Sequence, residues 1–422
     1  MTYNIKSIEN CIEKRNKYEN NVISVTGTCG KTTTCKMIYD ILKNIYTIDK
    51  THENRNSFVG IPNSINYDFN LKSNLWLVEI GIGGLDQMNS LTFLVKPNIR
   101  IITNVLVSHT HKNFTPKQYQ TEKLKFIKNL PPNTVVIINN DDKLISSQKF
   151  NDDIVVIRCG SKSSDDVQLV SYAICDDNIS SVINIKIKDK TEISNINFKL
   201  NGIGYHNAFN VCLAIGCAIY LNVPIDTIQK SINNFDFYSN RGKIILKPNY
   251  ILYDYSYNCV YNACYKNLET FKKIKNKNKL IIFGFNIITP TIVRYLISYS
   301  KIITNNIIIF LPELKIQPID EIITNSFQII TNSHQIKKIN QLNETTTSEK
   351  IELIKESNEL INESNHLINE KLQNIIIISK YNDIINHIKP LIKPKEQLSI
   401  FIQGSAEANL FNIVDIIKNS KF

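Results

Sequence analysis

A strand, a glycine turn and a helix succeed one another in Asn21 to Leu42, NVISVTGTCGKTTTCKMIYDIL. No other stretch limits the fold so strongly, because this order builds a phosphate-binding loop. Gly27 and Gly30 let the backbone turn its N–H groups toward phosphate oxygens. The helix starting near Lys31 adds its positive end. Lys31 is placed to reach β- and γ-phosphates and Thr32 to hold Mg²⁺, while Thr28 and Thr33 complete the loop. The first glycine of the general G-x-x-x-x-G-K-[ST] pattern is absent, with Val25 in its place.

The chain beyond the loop fits an α/β domain with a largely parallel sheet. Val22–Val25, Leu75–Val78, Ile99–Ile102 and Val135–Ile138 are short apolar runs that alternate with helical spacing at Met37–Leu42 and Leu124–Ile127. Ile154–Ile157 and the stretches SSVINIKIKD and SNINFKL predict antiparallel strands appended to that sheet. HNAFNVCLAIGCAIYL, 206–221, is a mostly apolar helix. YILYDYS, KLIIFGF, NIIIFLP, QNIIIIS and LSIFIQGS then predict a second, smaller Rossmann-like α/β domain. With 422 residues, two cores are expected: a helical extension at 1–20, a central nucleotide-binding domain at 21–237 and a C-terminal domain at 238–422. Inside the latter, a low-complexity insert near 340–372 contains IELIKESNELINESNHLINEKL, 351–372, where a Leu-Ile pair recurs every seven residues. It predicts a coiled-coil-like surface helix of the second domain, with a partner-binding or dimerising helix as the alternative.

A net charge of +11 suits anionic ligands, but the Lys and Arg residues are dispersed rather than striped, which argues against nucleic acid. Nine cysteines include no C-x-x-C pair, against a zinc or redox motif and in favour of a reducing, cytoplasmic compartment. No apolar run approaches the length of a membrane span.

The form T-G-T-x-G-K-T-T-T is narrower than a generic phosphate loop and resembles the Mur ligase family, whose members use ATP to join an amino acid or peptide to a carboxylate. Further motifs come in the family's order. Thr51, Asn54, Asn56 and Gly60-Ile61-Pro62 resemble the substrate loop of the D-alanyl-D-alanine-adding branch, to which the motif text sits nearest. Glu79, closing an apolar strand before Gly81, matches the family's Mg²⁺-holding glutamate; a carboxylate there points into the crevice where α/β ligands bind. Thr103, Asn104 and His109 fit the family's strand, Thr-Asn and metal-ligating His, although His111 competes because it lies closer to Phe114. Lys123 matches the lysine that many members carry as a carbamate, with Lys125 standing where the family has Glu. Lys123, Lys125 and Lys128 lie on one predicted helix, for which a solvated charged face is the plain alternative. Asn139, Asp141 and Asp142 match N-x-D-D, and GYHNAFN matches G-x-H-N-x-x-N, with Asn207 toward adenine and ribose. Arg241 matches a phosphate-binding arginine and Asp254 a ribose-binding aspartate.

Further departures lie in the second half: Tyr255 replaces an Asp, and Gln403 stands where the family has the Lys of K-G-S. The strand of the loop starts at Asn21, leaving too little before it for a domain, so a missing UDP-sugar-gripping module is expected. The resemblance implies an ATP-dependent, ADP-forming ligase working through an acyl phosphate, with two Mg²⁺ held by Thr32, Glu79, His109 and carbamylated Lys123. Small-molecule or peptide acids and amines would be its substrates, and domain closure would complete its site. Two alternatives are a folate- or poly-γ-glutamate-type acid as substrate, and a degenerate family member acting as an interaction module.

Overall fold

The computed structural model describes residues 5–52, 55–106, 115–188, 193–257, 260–284, 290–310, 375–378, 380–381, 383–393, 396–404 and 408–420. The chain divides into two compact units, Met1–Tyr238 and Ser239–Phe422.

Unit 1 is built on nine strands: β1 Asn21–Thr26, β2 Ile48–Lys50, β3 Leu75–Glu79, β4 Ile99–Ile102, β5 Val135–Asn139, β6 Val155–Gly160, β7 Val167–Ile174, β8 Ser181–Lys188 and β9 Ile193–Leu200. They run side by side in the order β2-β3-β1-β4-β5-β6-β7-β8-β9. All pairings from β2 to β7 are parallel, and β7-β8 and β8-β9 are antiparallel. The expectation of an antiparallel strand at Ile154–Ile157 is therefore corrected: β6 lies parallel to both β5 and β7. An apolar run carries no information on direction, which is set by the crossover that delivers it.

Helices cover both faces of the parallel part, so β1 and β3 are buried almost throughout. Side chains alternate between faces. Ile23 and Val25 pack with the helices Lys31–Leu42, Tyr205–Tyr220 and Ile225–Asn233, while Val22 joins the opposite core under Gln87–Val95 and Pro116–Leu124. The N-terminal helix Ile5–Asn16 is fastened to this second face. Arg15 donates from Nε to Val95 O at 2.6 Å and from Nη2 to Lys96 O at 2.8 Å, filling carbonyls at the end of Gln87–Val95. Tyr18 stacks on the buried Trp76 at 3.7 Å.

Unit 2 holds a second sheet: β10 Lys243–Leu246, β11 Tyr250–Tyr255, β12 Lys279–Gly284, β13 Ile307–Phe310, β14 Ile375–Ile378 and β15 Leu398–Gly404, in the order β10-β11-β15-β12-β13-β14. Among the described residues, only the β10-β11 pair of this sheet is antiparallel. The heptad segment 351–372 and the insert near 340–372 lie outside the described residues. Among the described residues, no helix is long and apolar enough to cross a membrane.

Candidate active site

The loop after β1 is held from two sides. Thr28 N–H donates to Asn104 O and Cys29 N–H to Asn104 Oδ1, both at 2.9 Å. In return, the Cys29 carbonyl accepts from Thr103 Oγ1 at 2.6 Å and Asn104 Nδ2 at 2.9 Å. Gly27, at φ +145°, passes so close to the end of β4 that an added Cβ would lie 1.9 Å from Thr103 Oγ1. Gly30 is left-handed at φ +85°, with the Asn210 amide where a side chain would be. Helical bonding begins with Thr34 N–H to Gly30 O, so the N–H groups of Lys31, Thr32 and Thr33 form the open end of the helix. Lys31 Nζ folds over the loop, donating to Gly27 O at 3.1 Å and Thr28 O at 3.3 Å. Glycines with no room for a side chain, an open helix end and an ammonium above it suit the phosphates of ATP.

Lys123 is buried in the floor of this loop, 1 % exposed, with Nζ 3.4 Å from Thr26 Oγ1. Burial holds its amine well below the ordinary lysine range, helped by Lys31 and opposed by Glu79, Cys29 and Glu122. Among the described residues no carboxylate lies within ion-pair reach of it, so the solvated-face alternative is excluded for Lys123. The single predicted helix is also corrected. It ends at Leu124, Lys125 starts a 3₁₀ turn, and Lys128 is extended. Lys125 instead pairs with Asp86 at 2.7 Å and Glu122 at 2.8 Å. Glu122 also accepts from Met88 N–H at 2.9 Å and locks the turn before Lys123. No sequence signal marks that role, since Met88 lies 34 positions away.

Glu79 ends β3 buried at 6 % exposure, and its Oε1 accepts from Asn56 Nδ2 at 2.8 Å. Asn56 O also accepts from Gly81 N–H at 2.7 Å, so Asn56 ties the Glu79 carboxylate to the backbone just beyond it. Asn54, His109 and His111 lie outside the described residues. Among the described residues, no three His, Cys, Asp or Glu side chains gather as a metal cluster. Thr32 and Glu79 are buried oxygen donors of the kind that suit a hard cation.

Other expected residues are bonded within the frame as well. Asn139 Nδ2 donates to Thr103 O at 2.9 Å, and Asp142 caps the next helix while accepting from Val105 N–H at 2.7 Å. Asn207 is buried and donates to Ile203 O at 2.9 Å. In unit 2, Asp254 Oδ1 accepts from Ser256 N–H and Oγ, at 3.1 and 2.6 Å, and Oδ2 from Asn240 N–H at 2.8 Å. This fixes the turn carrying Arg241, whose guanidinium lies 3.8 Å from the Tyr257 ring centre. Gln403 is buried, accepting from Asn267 Nδ2 at 2.8 Å and donating to Tyr255 O at 3.1 Å.

The family model for the Mur ligase middle domain matches residues 25–218. This part of unit 1 is similar to the Mur ligase middle domain. Within curated proteins the chain is 28% identical over 272 residues to UDP-N-acetylmuramoyl-tripeptide–D-alanyl-D-alanine ligase of Borreliella burgdorferi, covering 62% of this chain and 55% of that one. The chain thus spans about half the length of the curated relatives it matches. Among solved structures, MurF of Thermotoga maritima in complex with ADP superposes with a TM-score of 0.74 at 16% identity, over 98% of this chain and 83% of that one. Folylpolyglutamate synthase of Mycobacterium tuberculosis, complexed with ADP, gives 0.68 at 11%, over 99% and 95%. The Mur ligase fold therefore extends beyond the middle domain into unit 2.

Proposed function

We propose that the chain is an ATP-dependent, ADP-forming ligase that makes an amide bond through an acyl phosphate. The observation that carries this reading is Lys123, buried without a paired carboxylate beneath a phosphate loop and within the field of Glu79. A loop serving phosphate binding alone has no need of that costly lysine. Lys31 and the open helix end after Gly30 would hold the ATP phosphates and offset the charge spread over the γ-phosphoryl group. A substrate carboxylate oxygen would attack the γ-phosphorus, releasing ADP. An amine would then attack the acyl carbon, releasing phosphate. Thr32, Glu79, His109 and carbamylated Lys123 are the ligand set for two Mg²⁺, which when bound would supply charge neutralisation and orient the acid. The carbamate would form when the neutral Lys123 amine adds to CO₂ and sheds a proton. Asn207, Arg241 and Asp254 are candidate nucleotide contacts, Asn54 and Asn56 candidate substrate contacts, and a cytoplasmic location fits this chemistry.

The name of the curated relative makes a UDP-N-acetylmuramoyl-tripeptide and D-alanyl-D-alanine the first pair to assay. A folate with glutamate is the second. The full chain is incubated with ATP, Mg²⁺ and each pair, and phosphate release is followed with product masses. Release above that of the Lys31→Ala protein, with an amide product, supports the reading. Release matching that control across broad acid and amine pools would sink it in favour of a non-catalytic family member.

A further inference from the structure

Unit 1 has a cavity of about 620 Å³ at the end of the sheet where β4 and β5 begin. The phosphate loop extends from the other end of β1, the parallel neighbour of β4, so the two sites sit at opposite strand ends. Lys96, Arg100, Lys125 and Lys128 line the cavity, and no acidic side chain does. Lys125 shares its charge with Asp86 and Glu122, and Lys96 Nζ donates to Asn16 Oδ1 at 2.6 Å.

Arg100 is the unusual member. It stands in the strand IRII, more than nine-tenths buried at 7 % exposure. Nε donates to Pro97 O at 3.3 Å and Nη1 to Phe126 O at 2.8 Å. Nη2 has no partner among the described residues, and no carboxylate there pairs with the guanidinium. Burial alone lowers its pKa to about 10, with no opposing acid. A buried cation with no acid beside it is costly, and here two carbonyls and the Phe126 ring, whose centre is 5.6 Å from the guanidinium carbon, are its partners. At the rim Phe93 is 69% exposed and offers a flat apolar surface.

We propose that this cavity binds a phosphate-bearing small molecule, with its phosphate between Arg100 Nη2 and Lys128 and its apolar part against Phe93. Guanidinium and ammonium donors meeting phosphate oxygens give the strong, charge-assisted class of hydrogen bond. This site is independent of the ligase reading, because neither the phosphate loop nor Lys123 contributes to it.

The test uses the full chain carrying Lys31→Ala, so that binding at the phosphate loop does not interfere. Phenyl phosphate and inorganic phosphate are titrated calorimetrically at low salt. Saturable one-site binding, tighter for phenyl phosphate, is expected. Lys128→Glu, on an exposed side chain, should weaken it at least tenfold, and Phe93→Ala should remove the preference for the phenyl compound. Arg100→Lys should weaken it comparably, with the unfolding midpoint recorded alongside. No saturable binding, or equal affinity after Lys128→Glu, overturns the proposal.

Discussion

Glu79 and Asp254 each sit at the end of a buried strand, β3 in unit 1 and β11 in unit 2, yet their oxygens are spent differently. Glu79 gives one oxygen to Asn56, and its other has no partner among the described residues. Asp254 gives both, to the backbone of Asn240 and to Ser256. The same contrast separates Lys123 from Gln403. Lys123 is buried with one long hydrogen bond and the Tyr119 ring 5.6 Å away, whereas the Gln403 amide is used at both ends. A polar group buried with spare capacity costs stability, and one fully bonded repays it. At these four positions the spare bonding capacity lies in unit 1 and the full bonding in unit 2.

Substitutions can break that contrast. The largest effect is expected at Lys123. Lys123→Ala should lower ATP-dependent product formation by about 10²–10³-fold, the scale of losing one charge-stabilising group, without lowering the unfolding midpoint. Activity within a few-fold of the parent would put Lys123 among framework residues. Gln403→Lys comes next. An ammonium at this buried position leaves Asn267 without its acceptor, and urea denaturation should show a loss of roughly 3 kcal/mol. A neutral outcome would mean that unit 2 has room for the charge after all.

Asp254→Ala strands two backbone N–H groups and should cost about 1–3 kcal/mol, with Asp254→Asn recovering part of it. ADP affinity measured on Asp254→Asn then separates turn support from nucleotide contact. The smallest effect is a pH dependence. In CO₂-free buffer, the unfolded chain keeps a proton on Lys123 that the folded chain has released. Stability should therefore rise with pH from the depressed folded value toward the ordinary lysine value of about 10.4, by at most about 1.4 kcal/mol per unit. Lys123→Met should flatten that slope, and an unchanged slope would contradict the burial argument.

The phosphate loop was legible because its chemistry is local: strand, glycines and helix are contiguous, and positive φ at Gly30 needs only a turn. The parallel sense of β1, β3, β4 and β5 was readable from alternating runs, though not their order in the sheet. Direction failed at β6, and β7, with its exposed Val170 and the register shift after Leu169, offered no clear pattern. Burial of Lys123 was hidden because its surroundings come from Thr26, Lys31 and Glu79, far from it in sequence. Asn56 reaches Glu79 across 23 positions and Gln403 reaches Asn267 across 136, distances at which spacing carries no signal.

The bonding of Gln403 couples two distant positions. Its carbonyl end receives Asn267 and its amino end reaches Tyr255 O. A lysine in its place can supply the second contact but never the first, since an ammonium accepts nothing. A change at 403 alone therefore leaves the Asn267 amide without its acceptor, and only a joint change at 267 and 403 avoids that loss, so the two positions are coupled.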